Sequence, residues 1–274
     1  MKNLSRRDFL HTSLILGTGA TLFPSETFAR TNTMQQINQS DFSLKNKKIL
    51  YVWGGWENHE PKQSIDVFVP WLQSEGAEVT LSDTLESYQN TSLMNSQDLI
   101  IQTWTMGKLT AEQEKGLLNA IKHGCGFAGW HGGIGDSFRE STEYQFMVGG
   151  QWVAHPGGII DYRVHITNHT DEVTKGLRDF DMHSEQYYLH VDPNIKVLAT
   201  TTFSGKDAPW IKGCVVPVVW KKYYGKGRVF YSSLGHVMKD FEVYEAFEIQ
   251  KRGIRWAAQS KYLPQENLIN PVYK

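Results

Sequence analysis

The chain has 274 residues, of which 40% are apolar and 12% aromatic, enough to fill a sizeable core without staples. A net charge of -1 gives no field to draw it onto nucleic acid or anionic lipid, so those partners are excluded in favour of small-molecule chemistry. Two cysteines, Cys125 and Cys214, in no ligand spacing, argue against a thiolate metal site or a disulfide framework and read as inert core thiols.

In chain order, the first segment reads as an export address. Ser5-Arg6-Arg7-Asp8-Phe9-Leu10, a weakly apolar stretch from Leu14 to Phe23 and the small-residue end Thr27-Phe28-Ala29 follow the order of a twin-arginine signal over residues 1–29. Gly17, Thr18, Gly19 and Thr21 interrupt the apolar stretch, which falls short of the roughly 20 residues a spanning helix needs. Membrane contact is therefore expected only through an uncleaved signal, and the mature protein is expected in the periplasm or otherwise exported. Residues 30–46 are polar and aperiodic, a linker; residues 47–262 form one domain and 263–274 a tail.

Lys48 to Trp53 is a short apolar run ending at Gly54-Gly55, the pattern of a buried parallel strand. Ile65, Phe68, Val69 and Leu72 recur at helical spacing and Gly76 closes that helix. Strands are expected at Ala77–Leu81, Asp98–Trp104 and Gly126–Trp130, with a capping box at Thr110-Ala111-Glu112-Gln113 opening a helix that runs to Gly124. This alternation predicts an α/β fold with a parallel sheet and right-handed crossovers. From about Gly149 to Gly213 the runs shorten (Tyr162–Ile166, Gln186–His190, Val197–Thr202) and read as an insertion or antiparallel extension flanking the sheet. Gly225-Lys226-Gly227 marks a hairpin between Val215–Tyr223 and Arg228–Ser232, and a last helix runs from about Glu242 to Gln259.

Ligands of such sheets bind beyond the carboxyl ends of the strands, so the residues just after strands carry the most weight. Trp53-Gly54-Gly55-Trp56-Glu57-Asn58-His59, Trp104, Trp130-His131-Gly132-Gly133 and Gly235-His236 all stand there. The turn at His131 has the shape of a nucleophile elbow carrying an imidazole where acyl transfer would need Ser or Cys, which disfavours covalent hydrolysis of the amidotransferase kind. Histidine serves instead as metal ligand or proton carrier. His131, His236 and Glu185 are the catalytic candidates; with His155 they make a donor set for Zn²⁺ or a similar divalent ion, and without a metal they can work as general acid and base. Trp56, Glu57, His59, Trp104, Trp130, Asp136, Arg139, Tyr187 and His190 are candidates for substrate binding, because indole faces pack on sugar C–H surfaces while polar groups hold the hydroxyls. No nucleotide cofactor is expected.

Five blocks then carry a resemblance: Trp53 to Pro61, Gly129 to Gly133, Gly149 to Gly157, Ser184 to Pro193 and Gly227 to His236. In order and register, they resemble the trehalose-utilisation (ThuA-like) family. The resemblance implies a flavodoxin-like fold of the class I glutamine amidotransferase type, with His131 where those enzymes carry their cysteine and His236 where they carry the triad histidine. It also implies a carbohydrate substrate from disaccharide catabolism. Asn58 departs from the small residue usual there and alters the first loop without removing His59. The expectation is an exported enzyme acting on a sugar or keto-sugar by isomerisation, elimination or hydrolysis; the alternative is a noncatalytic carbohydrate-binding protein. Homo-oligomerisation is left open.

Overall fold

Apolar runs that bury both faces organise the structure, a computed structural model that describes residues 42–268. The export signal and most of the linker lie outside the described residues, as does the end of the tail. Strand β1 (Lys48–Gly55) buries Ile49 and Tyr51 on one face and Leu50 and Val52 on the other, as a central parallel strand must. It pairs in parallel with β2 (Glu78–Ser82) and β3 (Leu99–Thr105), and β3 continues to β4 (Gly126–Trp130). Helix α1 (Gln63–Ser74) connects β1 to β2. Helix α2 (Thr91–Ser96) precedes β3, and α3 (Ala111–Lys122) connects β3 to β4. Thr110 and Gln113 close the expected capping box around the start of α3.

The middle section is the expected antiparallel extension, joined edge to edge to the sheet. Strands β6 (Ile159–Ile166), β7 (Phe180–Glu185), β9 (Lys196–Thr202), β10 (Val215–Tyr224) and β11 (Gly227–Ser232) complete a nine-stranded sheet of order β2-β1-β3-β4-β11-β10-β9-β6-β7. β11 runs parallel to β4, and from β10 outward each pairing is antiparallel. The Gly225-Lys226 turn joins β10 to β11 with Tyr224 opposite Gly227, the expected two-residue hairpin. The expected strand over 186–190 starts two residues later, and a strand that was not expected, β7, stands just before it. β7 ends at Glu185, and β8 (Tyr188–Val191) leaves the sheet to pair with β5 (Gly150–Ala154) in a separate ribbon. Period-2 patterning cannot show that strands change sheets between Glu185 and Tyr188, because both carry alternating side chains.

Two cores sandwich the sheet. On one face α1 and α6 (Tyr244–Ala258) pack Phe68, Ile249, Ile254 and Trp256 over Tyr51, Ala128, Trp130 and Phe230. On the other, α3 and α5 (Thr142–Val148) set Leu117, Ile121, Tyr144 and Met147 over Leu50, Ile100, Phe127 and Tyr231. Phe42 and Leu44 belong to the first core, so apolar packing reaches into the stretch expected to be linker, and at the other end Arg228 holds Pro264 and Glu266 of the tail. The polar neighbours Ser43, Lys45 and Asn46 hid that packing in the sequence. Cys125 is buried, Cys214 is half-buried, and both are free thiols. Among the described residues no helix is long and apolar enough to cross a membrane.

Candidate functional site

The carboxyl ends of β1, β3, β4 and β11 converge with the end of β7, and each delivers part of one cluster. His131 follows β4 directly at φ 46°, a conformation that a β-carbon disfavours and that packing around it must enforce. Short helix α4 (Gly132–Gly135) starts there because its glycines admit close neighbours. A Cβ on Gly132 would meet the His59 ring at 2.4 Å, and one on Gly133 would meet the Thr103 backbone at 2.7 Å. His59 ends the turn Glu57–His59 after β1, and His236 follows β11 across Gly235.

His59, His131, Glu185 and His236 each offer one ligand atom, and the four atoms all lie within 4.8 Å of one another. His131 Nε2 stands 3.1 Å from Glu185 Oε2 and 3.3 Å from His236 Nδ1, which is itself 3.3 Å from the same carboxylate oxygen. The His131 tautomer is fixed from behind: Nδ1 lies 2.8 Å from the Ser233 carbonyl, which can only accept, so Nδ1 carries the proton and donates it. In the neutral ring Nε2 is therefore an unprotonated lone pair facing a carboxylate oxygen. Burial holds the His131 pKa below its usual value, although the neighbouring Glu185 carboxylate works in the opposite direction. Burial alone would raise the Glu185 carboxyl, but the His131 and His236 imidazoles beside it outweigh that and leave the group below the ordinary carboxylate range. His59 is pushed down to about 2 by burial and by the neighbouring imidazoles, and its Nδ1 sits 2.8 Å from Thr105 Oγ1. The His59 and His131 imidazoles are thus held uncharged beside an ionised Glu185, with His131 Nε2 and Glu185 Oε2 turned on one another as acceptors.

The sequence reading placed His155 as the fourth donor; the structure brings His59 into that position. His155 stands one step outside, its Nδ1 3.6 Å from Glu185 Oε1 and without a hydrogen-bond partner, its ring about a third exposed. The candidates for substrate contact separate in the same way. Trp56 is exposed and packs edge-on against His59; Glu57 is exposed at the start of that turn. Trp104 is half-buried over Gly54. Asp136 and Arg139 form a bidentate pair of 2.5 and 2.8 Å, and the Arg139 guanidinium lies over the Trp152 ring. Tyr187 is buried and stacks on His131 at 4.0 Å, backing the imidazole. His190 is exposed on β8, and among the described residues its side chain makes no hydrogen bond, ion pair or ring contact.

Trp130 requires a correction. Pleat alternation turns it away from the mouth into the first core, where it is 2% exposed and packs against Phe68 and Phe241, so no substrate reaches it. The orienting groups Thr105, Ser233, Ser184 and Asp240 went unnoticed in the sequence, because common polar residues carry no local signature and act through backbone atoms or distant partners.

The family model described as ThuA, trehalose utilisation, matches residues 48–257. Solved structures similar to the chain include ThuA-like proteins from Bacteroides uniformis and Parabacteroides merdae. The first has a TM-score of 0.66 at 18% identity, covering 77% of this chain and 91% of that one. The second has a TM-score of 0.64 at 18% identity, covering 81% and 93%. At that identity the likeness is one of fold, an α/β architecture with a largely parallel central sheet flanked by helices. No curated protein matches the chain.

Proposed function

Since the chain belongs to the ThuA family of trehalose-utilisation proteins, we propose that it is an exported enzyme that acts on a sugar or keto-sugar at a divalent-metal centre held by His59, His131, Glu185 and His236. One observation supports the metal most strongly: the unprotonated Nε2 of His131 facing the ionised Glu185 at 3.1 Å. Two acceptors held that close repel unless a cation lies between them, and burial disfavours a proton on His131. Three imidazoles and a carboxylate suit Zn²⁺ or a similar borderline ion and leave room for an exogenous oxygen ligand. The Thr105 and Ser233 contacts behind His59 and His131 are the outer supports that metal-binding imidazoles require. When bound, such an ion polarises a carbonyl or hydroxyl oxygen and acidifies bound water.

The chain's own residues supply the rest. Trp56 offers an exposed indole beside the cluster, fit for the C–H face of a sugar ring. His155, with an unpartnered Nδ1 beside Glu185, offers its imidazole to a substrate hydroxyl. Arg139 is neutralised by Asp136, so no free cation is presented there for a phosphate or carboxylate, which favours an uncharged carbohydrate.

The test is elemental analysis of protein purified without chelator, followed by product analysis on simple disaccharides and their keto derivatives. About one equivalent of metal, with turnover lost on chelation and restored by the ion, is expected. A metal-free protein that turns over sugars would remove the metal and leave acid–base catalysis by the same residues. Sugar binding without turnover in metal-loaded protein would establish the binding-protein alternative.

A further inference from the structure

Asp240 lies in the helical turn Met238–Glu242 that follows His236, and it is 7% exposed. One of its carboxylate oxygens, Oδ2, accepts two hydrogen bonds: from the Ser184 hydroxyl at 2.5 Å and from the His236 backbone N–H at 2.9 Å. Ser184 immediately precedes Glu185 at the end of β7. A single buried atom therefore fixes the spacing between two members of the cluster carried by elements far apart in the chain. A second carboxylate does the same for a third member. Glu60 follows His59 in a left-handed conformation at φ 51°, and its Oε2 accepts from the Met238 backbone N–H at 2.7 Å, tying the loop that carries His59 to the loop that carries His236. Among the described residues neither acid has a cationic partner; Glu60 accepts from the segment 236–240, and Asp240 from that segment and from Ser184.

We infer that Asp240, assisted by Glu60, is a positioning residue: the two carboxylates clasp the segments bearing His59, Glu185 and His236 and set the geometry of the metal centre without touching the ion. This rests on the metal reading above. Loss of an outer support of this kind weakens metal binding by about 10–100-fold. The clasp acts through acceptor oxygens alone, so an amide that still offers one oxygen preserves it, while truncation does not.

Asp240→Ala, Asp240→Asn, Ser184→Ala and Glu60→Ala are compared with the wild type by Co²⁺ titration, following both the dissociation constant and the visible absorption of the bound ion. Val69→Ala, in the core on α1, serves as a control for general destabilisation. Asp240→Ala is expected to weaken Co²⁺ binding by about 10–100-fold and to alter the visible bands, Asp240→Asn to recover most of the loss, and Val69→Ala to lower Tm while leaving both readouts unchanged. Should Asp240→Ala fail to fold, Ser184→Ala and Glu60→Ala read the two arms separately, each with weakened binding expected. Binding and spectra indistinguishable from wild type in the folded variants would overturn the clasp. If the wild type takes up no Co²⁺, the metal reading falls, and metal-free crystal structures decide the clasp instead. The His236 Nδ1 to Glu185 Oε2 separation of 3.3 Å should open in the variants, and its persistence would overturn the clasp.

Discussion

Gly132→Ala tests whether His59 is a working member of the cluster, because the substitution strikes its ring and little else. A methyl group on Gly132 would lie 2.4 Å from His59 Cε1, 2.5 Å from Nδ1 and 3.0 Å from Thr105 Cγ2. Carbon atoms rest at about 3.5–4.0 Å, so the ring must withdraw by about 1 Å. That displacement breaks the 2.8 Å contact to Thr105 Oγ1 and far exceeds the roughly 0.2 Å tolerance of a metal–ligand bond. Gly132 opens α4 with no positive φ, so the backbone itself accepts alanine. Overpacking of this kind costs about 1–3 kcal/mol, or a Tm lower by about 2–12 °C for a domain of this size. Metal affinity, measured by chelator competition, should fall by more than the roughly 10–100-fold expected for a lost outer support. A variant that keeps wild-type affinity and a native Tm would show that His59 does not serve the centre. Gly158→Ala, at a loop position of φ 69° with nothing within 4 Å of the added atom, is a control for backbone strain away from the cluster: it should lower stability while changing metal affinity little.

Three further predictions probe the surroundings. His131→Ala and His236→Ala should each abolish stoichiometric metal and turnover, and retention of both activities by either variant would remove that residue from the site. On the far side of the sheet, burial alone would raise the Asp171 carboxyl, but Lys221 and Lys196, at 2.9 and 2.7 Å, overcome it and hold the group below its usual value. A carboxylate depressed in the folded state contributes stability that is complete above its unfolded pKa of about 3.9 and disappears as pH falls through the lower folded value. Acid unfolding should accordingly lose this contribution in Asp171→Asn, which should also be destabilised at neutral pH by about 3 kcal/mol or more, because Lys221 is left buried with only Glu172 and the more distant Glu266 beside it; an unchanged acid limb would contradict this assignment. Finally, burial pushes the Cys125 thiol up to about 12, so a thiol reagent at neutral pH should spare it in native protein and modify both cysteines after unfolding. Rapid native labelling of Cys125 would show that the strand around it opens.

The parallel half of the fold was legible because each β–α unit carries its own local signals: a doubly buried run, a capping box, a closing glycine. Thr110 and Gln113 did what their spacing promised. The antiparallel half was legible only as short strands, since the sequence near Glu185 does not state which sheet its neighbours join. That gap also hid the site's connectivity, for Glu185 reaches His131 although four strands stand between β4 and β7 in the order of the sheet. His131 and His236 announced themselves through glycine turns after strands. The exchange of His155 for His59 could not be read, because both follow Gly- or Ala-rich strand ends and only packing against Gly132 brings His59 inside. Trp130 misled because a residue at a strand end can face either the mouth or a helix layer, and the pleat decides.

The central claim is that the four converging side chains hold one divalent ion. Anomalous diffraction from crystals grown without chelator, collected either side of the absorption edge of the metal found by elemental analysis, measures this directly. One peak at about 2.0–2.3 Å from His59, His131, Glu185 and His236 is the predicted result. An empty cluster in metal-replete protein, or an ion bound elsewhere with Glu185 and His131 still in contact, would contradict it.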